Sequence, residues 1–380
     1  MDVLVELQCT SQHKIIKEMN PMKSAAIGAE LFPLSFQDVA SGVYFTELKF
    51  PADGVLDSVD VIIDSNILRE LKEHPDLFRR LAWILGPGVT IHFNVAQFSF
   101  EQLLSNRESA LQKVKELTEH PALFNTFEPG FASALIESLK DGEQDMRQLI
   151  GTLAIYLFTM RSLFEQKIPV EEKLKRWSEL FYGDVPKLTS LYFMGLLFFY
   201  GQANSKLEFA GSKIKVMDWA QHFLISRKEE KADPCRWARN RLFDFMLFSN
   251  APVLNIEVGG GKPGRLITAT RDEYSAKCLY RLFGFYGEQR ENALWSVIIN
   301  LGCLKSIDDP VFEGIRSESG KIHELSRDSR IPSVEEKRAR VHNLITSANT
   351  FLSNEHRQNL MRALDEFCVW SWIQSEPEKE

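Results

Sequence analysis

The segment Val61-Ile62-Ile63-Asp64-Ser65-Asn66-Ile67-Leu68 predicts a buried β-strand that ends in an acidic residue. A short run of β-branched apolar residues is typical of a strand buried on both faces. In a doubly wound α/β sheet, ligands bind in the crevice outside the carboxyl ends of the strands. We therefore expect Asp64 to lie at the edge of a sheet where ligands bind.

Composition and charge limit the classes of function. The chain has 380 residues, 44% hydrophobic and 26% charged, which is typical of a soluble globular protein with two or three packing units. The net charge of -7 provides no general attraction for nucleic acid. A polyanionic partner would have to be held by a local basic patch or by bound metal ions.

The cysteines and the apolar segments indicate a cytoplasmic protein. The five cysteines show neither CxxC nor Cys/His spacing, so neither a zinc site nor a disulfide framework is expected. The N-terminus lacks the basic region and the apolar core of a secretory signal. The most apolar stretches are shorter than the roughly 20 residues of a membrane span, so we expect no membrane segment.

A second strand is predicted from the alternation of residues between Val89 and Val95, and a helix follows it. Ser99 suits the N-cap of this helix, which places Glu101 in its first turn. Glu101 is therefore also expected just beyond the end of a strand.

Two further acidic residues occupy comparable positions later in the chain. Asn240 and Asp244 are four residues apart in a helical pattern, which places them on one face of a helix. The stretch Leu266 to Thr270 predicts another short apolar strand, and Asp272 follows it.

The remaining segments are helical in pattern. From about 105 to 235, apolar residues recur at spacings of three and four. Leu188 to Tyr200 is dense in Leu, Phe and Tyr, which indicates a helix buried on all sides. Helical patterns return after about 285, beginning with Leu294 to Leu301.

Taken in chain order, the acidic segments resemble the PIN-domain (PIN-like) nuclease family. The sharper matches are the apolar strand that closes in Asp-x-Asn and the apolar strand that closes in Thr-x-Asp. The resemblance covers residues 58 to 285 as short islands. Its four elements are Asp64 with Asn66, Glu101 after the second strand, Asp244 with Asn240 on a helix, and Asp272 with Thr268 and Thr270.

The resemblance implies an α/β fold, a PIN-like three-layer domain with a central parallel sheet. A large helical insertion and a helical C-terminal extension would complete the chain. The expected parts are an N-terminal segment at 1–57, a nuclease domain at 58–285 with its insertion at about 105–235, and a C-terminal region at 286–380.

Phosphodiester hydrolysis requires these residue types, because the negatively charged substrate needs a metal-activated water and charge neutralisation. Mg²⁺ and Mn²⁺ prefer hard carboxylate oxygens. As in the family it resembles, this chain would hold one or two such ions and cleave nucleic acid, with RNA favoured over DNA. The implied catalytic and metal-binding residues are Asp64, Glu101, Asp244 and Asp272, and those that orient ligands or water are Asn66, Asn240, Thr268 and Thr270.

Three other families also place an acidic residue after a strand, but this sequence does not match their motifs. A haloacid-dehalogenase-type phosphatase needs a second Asp at the position of Asn66. A von Willebrand-type metal site needs Ser at the positions of Asn66 and Leu68. A Rossmann fold needs a glycine fingerprint after its first strand, which is absent. Asp64 alone would also suit the N-cap of a helix that begins at Asn66.

The chain departs from the family pattern in its spacing. The interval from Glu101 to Asp244 is longer than a compact PIN domain needs, so a helical insertion has to be assumed. Asp218 is therefore a rival for the third ligand. Two other functions stay open, a DNA nuclease and an inactive PIN-like scaffold whose insertion binds a protein or nucleic acid partner. The sequence indicates no oligomeric state.

Overall fold

The structure is a computed structural model, and it describes residues 35–48, 58–123, 127–201, 205–209, 212–225, 233–249, 265–286, 296–299, 314–315, 317–318 and 333–374. Of the N-terminal segment predicted at 1–57, only residues 35–48 lie within this part of the chain.

The predicted strands around Asp64, before Glu101 and before Asp272 are confirmed. In chain order the described strands are β1 (Ser35–Gln37), β2 (Tyr44–Leu48), β3 (Ser58–Ile63), β4 (Thr90–Asn94), β5 (Lys206–Phe209), β6 (Ser212–Lys215), β7 (Arg265–Thr270), β8 (Phe283–Tyr286) and β9 (Ser296–Ile299).

The main sheet has five strands in the order β1-β2-β7-β3-β4. β3 lies between β4 and β7 and runs parallel to both. β2 pairs with β7, and β1 with β2, in antiparallel register. The α/β class is confirmed, but the sheet is mixed rather than wholly parallel. The parallel part brings the carboxyl ends of β3, β4 and β7 to one edge.

Helices dominate the rest of the described chain. They are α1 (Ile67–Glu73), α2 (Leu77–Leu85), α3 (Ala96–Ser105), α4 (Arg107–Thr118), α5 (Phe131–Asp141), α6 (Glu143–Glu165), α7 (Val170–Tyr182), α8 (Thr189–Tyr200), α9 (Val216–Leu224), α10 (Pro234–Ser249), α11 (Val334–Phe351), α12 (Asn354–Glu366) and α13 (Val369–Gln374). A 3₁₀ turn at Pro121–Leu123 follows α4, and a π-helical turn at Ser275–Leu279 continues into a helical turn at Tyr280–Leu282.

One face of the main sheet carries the apolar core. Successive side chains of a strand point to opposite faces, so Val59, Val61 and Ile63 of β3 share a face, and they belong to one buried cluster with residues of α1 to α5. The apolar residues of α2 recur at helical spacing and join the same cluster. Burial of this cluster anchors the strand that ends at Asp64.

The opposite face of the same sheet is buried and carries several polar side chains among apolar ones. Asp60 of β3 is 3% exposed, while Thr46 of β2 and Thr268 and Thr270 of β7 are fully buried. The turns at Ser275–Leu279 and Tyr280–Leu282 both contact β2. Asp64 follows Asp60 by four residues, so strand alternation assigns it to this face.

The chain divides into two compact units. The first consists of residues 1–143, 208–213 and 243–303, and the second of 144–207, 214–242 and 304–380. The main sheet lies in the first unit. The predicted domain boundaries stay predictions.

The second unit has an aromatic core. Trp177 of α7 lies in edge contact with Phe181 and with Phe199, at ring-centroid distances of 5.0 and 5.9 Å. The indole nitrogen of Trp177 donates to the backbone oxygen of Tyr192 at 2.9 Å. In α8, the residues from 190 to 199 are buried, which confirms the helix predicted at Leu188 to Tyr200.

Two helical predictions are wrong. The stretch from about 105 to 235 contains the two-stranded sheet of β5 and β6, so it is not helical throughout. Leu294 to Leu301 contains β9, which pairs with β8 in antiparallel register. The β-branched residues Val297, Ile298 and Ile299 explain the strand, because such side chains favour extended backbone.

Among the helices that the structure describes, none combines the length and the apolar character that crossing a membrane requires.

We predict that Gly195→Ala destabilises the second unit. A β-carbon at position 195 would overlap the buried indole of Trp177. Overpacking of this kind costs about 1–3 kcal/mol. Chemical denaturation monitored by tryptophan fluorescence measures the loss. Gly183→Ala is the control, because its β-carbon would meet only ordinary contacts, and equal stability of the two variants would contradict the prediction.

Candidate functional site

The Asp64 carboxylate is buried and held by hydrogen bonds at the end of β3. Asp64 is 8% exposed. Oδ1 accepts from the Ser65 amide at 2.6 Å, and Oδ2 accepts from Asn66 Nδ2 at 2.6 Å and from Thr270 Oγ1 at 2.5 Å. Every one of these donors is neutral.

Asn66 and Thr270 also bind the chain that follows β7. Asn66 Oδ1 accepts from the Arg271 amide at 3.0 Å, and Thr270 Oγ1 accepts from the Asp272 amide at 3.0 Å. The two side chains therefore connect Asp64 to the segment that carries Asp272. The predicted role of Asn66 and Thr270 in orienting a metal ligand stays a prediction.

The alternative role of Asp64 as a helix cap is not what the structure shows. Helix α1 begins at Ile67 and its N-cap residue is Asn66. The Asp64 carboxylate accepts instead from the amide of Ser65, which precedes the helix. Asp64 contributes its backbone oxygen, which accepts from the Ile67 amide at 3.0 Å.

Asp272 lies in the turn after β7 and begins the next helical segment. Its Oδ1 accepts from the Ser275 amide at 2.6 Å, and its backbone oxygen accepts from the Ala276 amide at 3.1 Å. Burial raises the pKa of Asp64, hydrogen bonds from Thr270 and others lower it, and the negative charge of Asp272 raises it again. The structure thus brings these two predicted carboxylates into electrostatic contact.

Tyr280 connects Asp244 to the surroundings of Asp64 and Asp272. Its side chain is fully buried, and its hydroxyl donates to the backbone oxygen of Asp244 at 3.4 Å. Burial raises the pKa of Tyr280, and the negative charges of Asp64, Asp244 and Asp272 raise it further. Three predicted carboxylates, from distant parts of the sequence, therefore act on one hydroxyl group.

The predicted position of Glu101 at a helix start is wrong. Helix α3 begins at Ala96, and Asn94 Oδ1 accepts from the Ala96 amide at 3.1 Å, so the helix starts earlier than predicted. Ser99 is not the N-cap, because it lies inside the helix and its hydroxyl donates to the Val95 oxygen at 2.8 Å. Glu101 is half-buried in the middle of the helix.

The other predicted residues have different surroundings. The Thr268 hydroxyl donates to the backbone oxygen of Thr46 at 3.1 Å, so it links β7 to β2. Asn240 is half-buried one turn before Asp244 in α10. Asp218, the rival ligand, is exposed in the first turn of α9.

The four predicted carboxylates do not form a compact ligand cluster. Within the described ranges, two groups of three or more His, Cys, Asp or Glu residues have ligand atoms all within 4.8 Å of one another. The predicted carboxylates are in neither group. The two groups are Glu70 with Glu73 and His74, and Asp233 with Cys235 and Glu366.

Sequence reasoning missed an ion pair beside Asp64 in which the acidic partner is buried and the arginine is partly exposed. Arg271 Nη1 lies 2.6 Å from Glu70 Oε1, and the Glu70 side chain is 3% exposed. The Arg271 amide also donates to Asn66, so this residue is fixed at both its backbone and its side chain. Its place between Thr270 and Asp272 in the predicted motif was the available signal.

Lys277 lies in the helical turn that follows Asp272. Lys277 Nζ is 5.4 Å from the centroid of the Tyr44 ring and 2.5 Å from Glu273 Oε1. The Lys277 charge lowers the pKa of Tyr44 against the larger effect of burial, while Glu273 and Asp272 raise it. The Glu273 and Lys277 spacing of four residues in a helix is readable from the sequence.

Asp60 is a second buried carboxylate on β3 that the sequence prediction passed over. It pairs in register with His92 of β4. Burial raises the pKa of Asp60 to about 6, although the neighbouring His92 lowers it. Within the described residues, Asp60 has no hydrogen bond or ion pair, so its charge is poorly compensated when it ionises.

We predict that Thr270→Val destabilises the first unit, while Thr270→Ser does not do so to the same extent. Valine keeps the shape of threonine but removes the hydroxyl that binds both Asp64 and the Asp272 amide. Leaving buried polar groups unsatisfied costs about 1–3 kcal/mol. Equilibrium denaturation at neutral pH measures the difference, and indistinguishable Val and Ser variants would overturn this prediction.

We predict that Asp60→Asn stabilises the protein in a manner that depends on pH. The folded protein holds a proton at Asp60 up to about pH 6, whereas the unfolded chain releases it near 3.8. The free energy of unfolding therefore falls as pH rises through this window, by up to about 3 kcal/mol.

Denaturation of wild type and Asp60→Asn between pH 4 and pH 8 measures this effect. The variant should gain stability over wild type as pH rises. Asp141→Asn, which changes an exposed carboxyl group at the end of α5, is the control for loss of charge. A difference in the free energy of unfolding between Asp60→Asn and wild type that stays constant at all pH values would contradict the prediction. It would show that the charge of Asp60 is compensated in the folded protein.

No protein-family model, no curated protein and no solved structure matches the chain. What the chain does is therefore inferred from its own residues.

Proposed function

We propose that the chain is a metal-dependent nuclease with a PIN-like three-layer fold. The observation that carries the proposal is the shared electrostatic surroundings of Asp64, Asp244 and Asp272 around the Tyr280 hydroxyl. Their segments are separated in sequence, so tertiary packing accounts for their shared effect on Tyr280. A buried residue whose pKa is raised by burial and by nearby carboxylates marks a candidate functional site.

The donor set fits Mg²⁺ or Mn²⁺. Both ions prefer carboxylate oxygens, and the proposed ligands are all carboxylates. When bound, such an ion activates a water for attack on phosphorus and neutralises charge on the phosphodiester. Asp64 and Asp272 are the principal proposed ligands, with Asp244 and Glu101 completing the set.

The chain's own residues would prepare this site for the reaction. Asn66 and Thr270 fix the Asp64 carboxylate from one side through Oδ2. Arg271 is anchored to the buried Glu70 and keeps the turn that carries Asp272 in place. Such orientation of ligands before substrate binds is how a preorganised site lowers an activation barrier. RNA is favoured as the substrate by the family resemblance.

A second candidate function is an inactive PIN-like scaffold that binds a protein or nucleic acid partner through its helical insertion. The observation that favours it is the absence of the four carboxylates from the compact ligand clusters of the described chain. The role of Asp272 as a helix cap is a purely structural use of the same residue. The two candidates differ in whether a metal ion binds at Asp64.

We predict that Asp64→Asn abolishes Mg²⁺- or Mn²⁺-dependent cleavage of labelled RNA, because it removes a metal ligand while keeping the shape of the side chain. Gel electrophoresis of labelled RNA and DNA, with and without EDTA, measures cleavage. Asp60→Asn is the matched control, since it removes another buried carboxylate four residues before Asp64 and outside the proposed site.

A thermal denaturation series with Mn²⁺ separates the two candidates. The ion should raise the melting temperature of wild type and of Asp60→Asn but not of Asp64→Asn, because binding to the folded state stabilises it. Absence of both cleavage and a metal-induced shift in wild type would remove the nuclease and support the scaffold.

A further inference from the structure

A cavity lies at the edge of the main sheet, beside the outer strand β4. Its volume is about 590 Å³, which is within the range of small-molecule binding sites. All of its lining belongs to the first unit. The lining residues are His92 and Phe93 of β4, Phe127, Glu128, Pro129 and Gly130 of the preceding loop, and Phe131 and Ala134 of α5.

Two aromatic rings form one wall of this cavity. The centroids of Phe127 and Phe131 are 4.6 Å apart, and the ring planes are tilted by 37°. Both side chains are half-buried, and both pack against the apolar core of the sheet. Both rings therefore contact the core and also contribute to the cavity surface, which suits contact with a planar ligand.

Two polar side chains of the lining stand at exposed positions. His92 and Glu128 are both exposed and contribute a ring nitrogen and a carboxylate. A cavity that combines aromatic rings with polar groups suits a flat ring that carries hydrogen-bond donors and acceptors. Nucleobases have this chemistry, and proteins bind them in single strands by stacking on aromatic side chains.

The cavity lies within reach of the proposed metal site. His92 pairs in register with Asp60, and Asp64 lies four residues farther along β3. At a rise of about 3.3 Å per residue, this separation along the strand is about 13 Å. A few nucleotides of an unpaired strand would extend from the cavity to Asp64.

We propose that this cavity binds a nucleobase of single-stranded nucleic acid. If the chain is the nuclease proposed above, on which this second step rests, its substrate is single-stranded and is held by a base away from the cleaved bond. A duplex would be disfavoured, because its stacked bases cannot enter the cavity.

Binding is measured in EDTA, so that it is independent of cleavage. Fluorescence anisotropy with a labelled single-stranded RNA, its abasic analogue and the matching duplex gives three dissociation constants. We expect the single strand to bind most tightly. Phe127→Ala should weaken it by about 5- to 150-fold, the cost of losing one base stacked on an aromatic ring, and should leave binding of the abasic analogue unchanged.

Further variants separate loss of stacking from loss of folding. Ala134→Leu fills the cavity from an exposed helix position and should weaken binding without disturbing the fold. Ser138→Leu, one turn along α5 and outside the lining, is its control. Trp83→Ala removes an aromatic side chain that is 63% exposed on α2, and serves as the control for Phe127→Ala.

The proposal is overturned if single-stranded RNA does not bind, or if neither Phe127→Ala nor Ala134→Leu changes its affinity relative to the controls. Binding of tetramethylammonium to the cavity in place of RNA would also overturn the proposal. The cavity would then be a site for organic cations. Base-dependent binding without any cleavage would support the cavity proposal and remove the proposed nuclease.

Discussion

The hydrogen bond from the Thr270 hydroxyl to the Asp64 carboxylate is the contact on which the candidate site depends. β3 and β7 run parallel, so their carboxyl ends meet at one edge of the sheet. Thr270 also accepts from the Asp272 amide, while Asn66 extends from Asp64 to the Arg271 amide. Without these bonds, a buried carboxylate would face the negative charge of Asp272 with little to hold it in place.

Buried carboxylates of the first unit differ in how their charge is compensated. Glu47 forms two hydrogen bonds with Arg265, and Glu70 pairs with Arg271. Asp64 receives only neutral donors, although Asp272 lies close enough to raise its pKa. The protein therefore neutralises the first two charges internally, whereas the negative charge around Asp64 is of the kind that a divalent cation would balance.

Local patterns predicted the strands of the site but not its contacts. The β-branched runs before Asp64 and Asp272 sufficed for β3 and β7, because their burial follows from residue type. The start of α3 was mispredicted. The Asn94 side chain lies outside the helical pattern, and it accepts a hydrogen bond from the Ala96 amide where the helix begins. The place of Tyr280 among three carboxylates depends on tertiary packing, which spacing in one sequence does not encode.

The hydrogen bonds at Asp64 are compatible with a metal ligand. A carboxylate has about four lone-pair positions. Oδ2 uses two for Asn66 and Thr270, whereas Oδ1 has one short bond, from the Ser65 amide, and a long contact of 3.5 Å to the Ser65 hydroxyl. Oδ1 thus keeps capacity for a cation without loss of any short bond. The bonds to Oδ2 then serve a nuclease by fixing the direction of Oδ1, and they serve a scaffold only by joining β3 to β7. Metal binding at Asp64 is accordingly the property that separates the two functions.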